Sequence, residues 1–220
     1  MTQGRVTYEL MTAVSPAAVV WNGRNGQEGG AARLCRDVNA PVLDRRRSVR
    51  AFHIVPDGQA PSARAITEQA LGSRFSGRPA VYRVEDPFGV LLGRITLRRR
   101  RFLRFGRTRW TVEPAAGPVL RGYRGRLVWW ALWWPFGLPV SVLCVVLSVL
   151  GDGDGGFGSP RRVIWRDDSG RAHLVFRGME ADDFQVLVPG WDPRLVTALV
   201  GLHQAFEPSE KAGAIGWYGP

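Results

Sequence analysis

Lysine is almost missing from this chain: Lys211 stands alone, so a basic total of 30 residues is carried nearly entirely by arginine. Cysteine is as scarce. Cys35 and Cys144 are the only two, in no paired spacing, and Cys144 falls inside an apolar run where a thiol is inert. That excludes a disulfide scaffold and a zinc pattern, and it fits a reducing cytoplasm. The histidines His53, His173 and His203 stand far apart, and no Ser-His-Asp set or phosphate-loop motif appears. The tract GDGDGGFGS (151–159) lacks the ligand spacing and the bidentate glutamate of a calcium loop, and it reads as a flexible linker. A secretory signal is missing too, because Glu9 interrupts residues 1–20 and no basic start leads into an apolar run. The expectation is a protein that is not an enzyme and that holds no metal and no cofactor.

What the chain does have is unevenly spread. Residues 1–126 contain 23 Arg against 9 acids, whereas 152–220 contain 7 basic residues against 10 acids. A basic half of this kind points to a polyanionic partner, either anionic lipid or nucleic acid. Between the halves lies LVWWALWWPFGLPVSVLCVVLSVLG (127–151), 25 residues without a charge. As one helix, 128–150 would run about 35 Å, enough for a hydrocarbon core of about 30 Å. Trp129, Trp130, Trp133 and Trp134 crowd one end, as in an interfacial aromatic belt. Pro135 and Pro139 divide the run into arms of about 8 and 11 residues, each too short to span. Arginines flank both ends, with Arg121, Arg124 and Arg126 before and Arg161, Arg162 and Arg166 after. The expectation is therefore a membrane-associated helical insertion, either a re-entrant or interfacial hairpin with both ends cytoplasmic or a single kinked span.

Outside that insertion the chain reads mainly as β. Residues 1–47, rich in Gly, Ala, Arg and Asn, suggest a disordered or loosely attached leader. Residues 48–79 suggest a first strand over 48–55, a turn at Pro56-Asp57-Gly58, and a linker with a short helix at Ala63–Leu71. AVYRVED-PFG-VLLGRITLRR (from Ala80) spells strand, turn, strand, and RRVIWRD-DSG-RAHLVFRG (161–178) spells it again. Short strands are expected at 108–113 and 118–123, and another in DFQVLVPG. The pairs Asp167-Asp168 and Asp182-Asp183 read as turn formers. Asp192 is a good N-cap and Pro193 suits the first helical position. The helix they start carries Leu195, Leu199, Leu202 and Phe206 on more than one face, so it is expected to be buried on most sides, with His203 as a satisfied core residue. Residues 208–220 read as a tail.

These pieces resemble the LURP-one-related branch of the tubby-like superfamily. The residues carrying the resemblance are YRVEDPFGVLLGRI (82–95), GRTRWTVE (106–113) and FQVLVPGWDPRLVTALVGLHQAF (184–206), so it covers about residues 80–207. It implies a tubby-like β-barrel wrapped around the C-terminal hydrophobic helix, and its lipid-binding and scramblase relatives lean toward lipid. The apolar insertion, placed between the third or fourth strand and the following hairpin, departs from the family pattern. No motif carries the tubby headgroup residues.

Arg98, Arg99, Arg100, Arg101, Arg104 and Arg107, interleaved with Phe102 and Phe105, are the candidate contacts to lipid headgroups. Each basic residue near an anionic surface contributes about 1 kcal/mol of attraction. The bland alternative is the solvated face of a hairpin. The sequence thus suggests a non-enzymatic lipid-binding or scaffold domain at the cytoplasmic face of a cell membrane. Its partner would be anionic phospholipid, with an unnamed protein partner open. A scramblase-like lipid-transport component is the alternative, and a nucleic-acid-binding protein with stacking aromatics is the distant third.

Overall fold

The computed structural model describes residues 6–11, 16–22, 29–37, 49–73, 76–99, 107–124, 161–178, 182–206 and 217–218. Twelve strands and one helix lie within them. The strands are β1 (Val6–Met11), β2 (Ala18–Asn22), β3 (Gly30–Arg36), β4 (Ala51–Pro56), β5 (Ala63–Gln69) and β6 (Ala80–Glu85). They continue with β7 (Leu91–Arg98), β8 (Arg109–Pro114), β9 (Leu120–Arg124), β10 (Arg161–Arg166), β11 (Ala172–Gly178) and β12 (Asp182–Val186). Each pairs antiparallel with its neighbours in the chain, and β12 returns to β1 with Tyr8 opposite Phe184, closing a barrel. Closure leaves no unpaired edge.

Alternation decides which residues face inward. In β7, Gly93, Ile95 and Leu97 are buried while Arg94 and Arg98 are exposed; in β6, Ala80, Tyr82 and Val84 point to the core. The inner space is filled by Trp110, Trp165, Tyr82, Phe52, Phe176 and Phe184, and by the helix α1 (Pro193–Phe206). Burial along α1 is unbroken from Leu195 to Gln204, so every face of the helix is enclosed. Asp192 caps it as expected: its Oδ1 accepts the Arg194 backbone N–H at 2.8 Å. Outward positions carry Arg33, Arg64, Arg83, Arg94 and Arg121, each paired with a carboxylate. A barrel with charge outside and apolar residues inside is the inverse of a lipid-facing one. Among the described residues no helix is long and apolar enough to cross a membrane. The apolar run 127–151 lies outside the described residues.

Several expectations are corrected. Three strands of the barrel lie within residues 1–47, where a loose leader was expected. Their small residues are there for packing: a Cβ on Gly30 would sit 2.3 Å from the Trp21 ring, so β3 must be slim where the indole lies over it. The segment read as a helix over 63–71 forms a strand instead, β5 ending at Gln69, with Ala63 and Ala65 wholly buried. Pairing to β4 on one side and β6 on the other outweighs the weak helix propensity of its Ala, Glu and Gln residues. The strand expected as the first, over 48–55, is the fourth. Asp182 and Asp183 open β12 instead of forming a turn. The insertion joins the ninth and tenth strands, not the third or fourth and a following hairpin. Part of the tail belongs to the core: Trp217 donates its indole N–H to the Gly201 carbonyl at 2.8 Å and packs edge-on against Phe52.

Candidate functional site

A chain that runs up and down a closed barrel places alternate connections at opposite ends. One end holds the turns of the β4–β5, β6–β7 and β10–β11 hairpins and the start of α1; it is called the turn end below. The other holds the connections after β1, β3, β5, β7, β9 and β11, together with the last turn of α1. Of the candidate headgroup arginines, Arg98, Arg99 and Arg107 fall at this second end, as do Arg124 and Arg161, the strand residues that bound the 125–160 connection; it is called the arginine end.

The turn end is satisfied locally. The two hairpins legible as a sequence repeat share one hydrogen-bond pattern. In the first, Gly89 N–H donates to the Asp86 carbonyl at 3.0 Å and Val90 N–H to Asp86 Oδ1 at 2.8 Å. In the second, Gly170 N–H donates to the Asp167 carbonyl at 3.0 Å and Arg171 N–H to Asp167 Oδ1 at 2.9 Å. Both glycines sit in the left-handed region, at φ 81° and 84°. Asp167 also accepts the Ser169 hydroxyl at 2.6 Å and meets His173 Nε2 at 2.9 Å. These bonds, that from Ser169 foremost, hold its carboxyl down at a pKa of about 2. Serine, histidine and aspartate meet here, yet the serine and the histidine both bond to the aspartate and not to each other. The imidazole is not aimed at the hydroxyl, and the aspartate's bonds to Ser169 and to the Arg171 N–H close the turn. Arginines at this end have acceptors, as in Arg33 with Asp57, Arg121 with Asp168, and Arg166 with the Gly170 carbonyl.

The arginine end differs. Arg98 closes β7, Arg99 follows it, and Arg107 precedes β8; Arg100, Arg101 and Arg104 lie outside the described residues, as do Trp129, Trp130, Trp133 and Trp134. Arg98 stands directly across from Arg109 in the β7–β8 register. Like charges opposite each other destabilise a sheet. Farther along the barrel, the facing arginines Arg83 and Arg94 are relieved by Glu85 and Glu68, whereas no described carboxylate pairs with Arg98 or Arg109. The Arg109 Nε is buried without a hydrogen-bond partner.

Where α1 ends, Phe206 and Tyr218 present their rings beside three guanidinium groups. Arg50 lies 4.6 Å from the Tyr218 ring centre and 5.2 Å from that of Phe206. Arg36 sits 4.8 Å from Tyr218, and Arg99 5.6 Å from Phe206. Each such contact contributes about 0.5–2 kcal/mol, more where water is excluded. Tyr218 is anchored: its hydroxyl accepts the Ala51 N–H at 2.9 Å and donates to the Ala51 carbonyl at 3.1 Å. Burial lowers the pKa of Arg50, and the Arg36 and Arg99 charges lower it further. Burial raises the Tyr82 hydroxyl well above its usual range.

The structure therefore brings Arg99 together with Arg36 and Arg50, which the sequence reading did not single out. Arg36 sat in the segment read as a leader, and Arg50 within the one read as a first strand. The one signal that could have pointed to the cluster was Trp217-Tyr218, two large aromatics in a tail otherwise rich in Gly and Ala. Of the core positions expected on the helix, Leu195, Leu199 and Leu202 are buried, and Phe206 is half-buried at this end. His203 is enclosed by the rings of Phe176, Phe184, Trp110 and Trp165, with centres 4.4–6.0 Å away. Among the described residues no three His, Cys, Asp or Glu side chains gather as metal ligands. No protein-family model, no curated protein and no solved structure matches the chain.

Proposed function

We propose that this is a non-enzymatic, membrane-associated barrel that binds anionic phospholipid, or scaffolds a partner, at the cytoplasmic face of a cell membrane. One observation carries the reading: the arginine run and the uncharged apolar stretch depart from the same end of the barrel, on adjoining strand pairs β7–β8 and β9–β10. Arg124 pairs with Val163 across β9 and β10, so the 125–160 connection leaves and returns at one place. A single span would put β10 on the far side of the bilayer from β9. The pairing therefore favours a re-entrant or interfacial hairpin, dipped into one leaflet with its tryptophans at headgroup level. A closed barrel around an enclosed C-terminal helix is also what membership of the tubby-like superfamily, through its LURP-one-related branch, would require, and that relationship is part of the proposal.

The test is co-sedimentation of the detergent-purified protein with anionic and neutral vesicles across a salt series. Changing Arg98–Arg101 to Gln is expected to weaken binding to anionic vesicles at low salt, with the deficit shrinking as screening grows. Changing Trp129, Trp130, Trp133 and Trp134 to Ala is expected to weaken it about equally at all salt concentrations. Deleting 127–151 is expected to release the protein into the supernatant after an alkaline carbonate wash while leaving a folded barrel, since the deletion shortens a connection between paired strands. Release of the intact protein by the same wash would overturn membrane association. The alternative, a scramblase-like component of lipid transport, rests on the same apolar segment; it requires headgroup-dependent flip-flop of a labelled lipid in reconstituted vesicles. Salt-sensitive DNA binding in detergent, without vesicle binding, would instead favour a nucleic-acid role.

A further inference from the structure

We propose that the outer wall of strands β7–β11, on its arginine-end half, is the face that lies against an anionic bilayer surface. Docking of this face presupposes the membrane association proposed above and specifies which side of the barrel meets the lipid. Strand alternation fixes the outward side: Trp110, Gly122, Trp165 and Phe176 are buried in the core, so Arg109, Tyr123, Ile164 and Arg177 beside them point out. Two pairs of arginines stand face to face on this wall. Arg98 is opposite Arg109 across β7 and β8, and Arg162 is opposite Arg177 across β10 and β11. Between the pairs runs β9, where Tyr123 lies opposite Arg109 on one side and Ile164 on the other. Tyr123 is 45% exposed, and Arg98, Arg162 and Arg177 are exposed with it.

Like charges in register destabilise a sheet, and elsewhere on this barrel such pairs are offset from within the chain. Arg83 and Arg94 face each other but meet Glu85 and Glu68. Arg121 and Arg166 face each other but reach Asp168 and the Gly170 carbonyl. Neither pair on the arginine-end half of the wall forms an ion pair with a described carboxylate. The acid in register with Arg177 is Asp183 of β12, whose Oδ2 instead accepts the Gln185 amide at 2.8 Å. One strand farther the sign reverses, with Asp183 facing Glu9 of β1. The wall is thus positive over β7–β11 and negative over β12–β1, so an anionic plane is drawn to one side and repelled by the other. Neighbouring strands lie about 4.8 Å apart, so the two arginine pairs spread over about 19 Å of wall. That is too wide for one compact anion and suits a surface that bears many. Tyr123 lies between the pairs, and its amphipathic ring favours headgroup level. The wall also includes β9 and β10, the strands joined by the connection that carries the uncharged run 127–151.

The experiment uses the full-length, detergent-purified protein and phosphatidylcholine vesicles with and without phosphatidylserine, and reads the bound fraction across a salt series. Arg162→Gln and Arg177→Gln are each expected to weaken binding to the anionic vesicles about fivefold at low salt, with the deficit shrinking as salt rises. Tyr123→Ala is expected to weaken it about equally at every salt concentration. Arg171→Gln removes the same charge at the turn end of the same hairpin and is expected to bind like the parent. Without vesicles, Arg162→Gln and Arg177→Gln are expected to raise the thermal midpoint by about 1–3 °C at low salt, because each relieves a facing pair. A fall in the midpoint together with lost binding would mean that these arginines hold the barrel rather than the bilayer, and the docking face would be wrong. An equal loss in Arg171→Gln would reduce the effect to total charge and overturn it as well. If the parent binds anionic vesicles and Arg162→Gln, Arg177→Gln and Tyr123→Ala match it, the membrane reading stands and this face falls. If the parent ignores all vesicles, both fall. Salt-sensitive binding of duplex DNA that depends on Arg162 and Arg177, with vesicle binding indifferent to them, would assign the wall to nucleic acid and sink the lipid assignment.

Discussion

At one end of the barrel, aspartates fold back onto the backbone of short turns and arginines meet carboxylates or carbonyls. At the other, connections such as 99–108 and 125–160 carry the densest arginine and the longest uncharged run, and Arg98 faces Arg109 with no described carboxylate to relieve the pair. Both ends belong to the same strands and share the same enclosed helix. The difference lies in how polar groups find partners: at the turn end the aspartates bond within four residues of themselves and the arginines reach carboxylates or carbonyls, whereas at the arginine end Arg98 and Arg109 face each other with no described carboxylate. Locally closed bonds stabilise wherever the protein resides. Facing cations with no described carboxylate between them lower the stability of the sheet.

The largest expected effect breaks the comparison by removing what the two ends share. Leu199 is wholly buried on α1, and an aspartate there would bury an unpaired carboxylate. Leu199→Asp is expected to cost about 4–5 kcal/mol or more, and the cooperative thermal transition should vanish. Survival of a near-native transition would show that the helix is peripheral to both ends.

A smaller effect sharpens the account of the turn end. Removing the Asp86 carboxylate in Asp86→Ala forfeits bonds from two backbone N–H groups, Phe88 at 2.9 Å and Val90 at 2.8 Å, and is expected to cost about 1–2 kcal/mol by chemical denaturation. Gly89→Ala and Gly170→Ala are each expected to cost about 1 kcal/mol through backbone conformation alone, since nothing lies within 4 Å of either added Cβ. Unequal costs would show that the two hairpins are not equivalent. Asp167 adds a pH signature. Its folded pKa of about 2 lies below the ordinary 3.8, so in that interval the unfolded chain binds more protons. Its contribution is complete above about pH 4 and is lost as pH falls through about 2. The midpoint of the parent is expected to drop more steeply across that window than that of Asp167→Asn.

The smallest effect has the opposite sign. Arg98→Glu would place a carboxylate opposite Arg109, with an expected gain of about 0.2–1 kcal/mol in stability and weaker association with anionic vesicles at low salt. A loss of stability would mean that Arg98 already has a stabilising role, and the contrast between the ends would fail.

Legibility in the sequence followed the range of the interactions. The hairpins at Asp86–Gly89 and Asp167–Gly170, and the helix start at Asp192-Pro193, could be read because their decisive bonds join residues at most four apart. The strands β1–β3 could not, since a run such as Gly-Ala-Ala-Arg has no strand signal until Trp21 lies over Gly30. The segment Ala63–Gln69 could not either, because its conformation is set by neighbours on both sides rather than by its own composition.

By itself, then, the sequence determined where turns close, where the helix begins, and that this helix is enclosed on every face, because local backbone chemistry and all-round apolarity need no partner to be recognised. Only the tertiary structure decided that twelve strands close one barrel, that the arginine run and the apolar connection leave it at the same end, and that Arg36, Arg50 and Arg99 meet around Phe206 and Tyr218. Those facts depend on pairing register and on strand parity around the barrel. Neither is written in any short stretch of chain, because a guanidinium has no preference for a partner until folding brings one within reach.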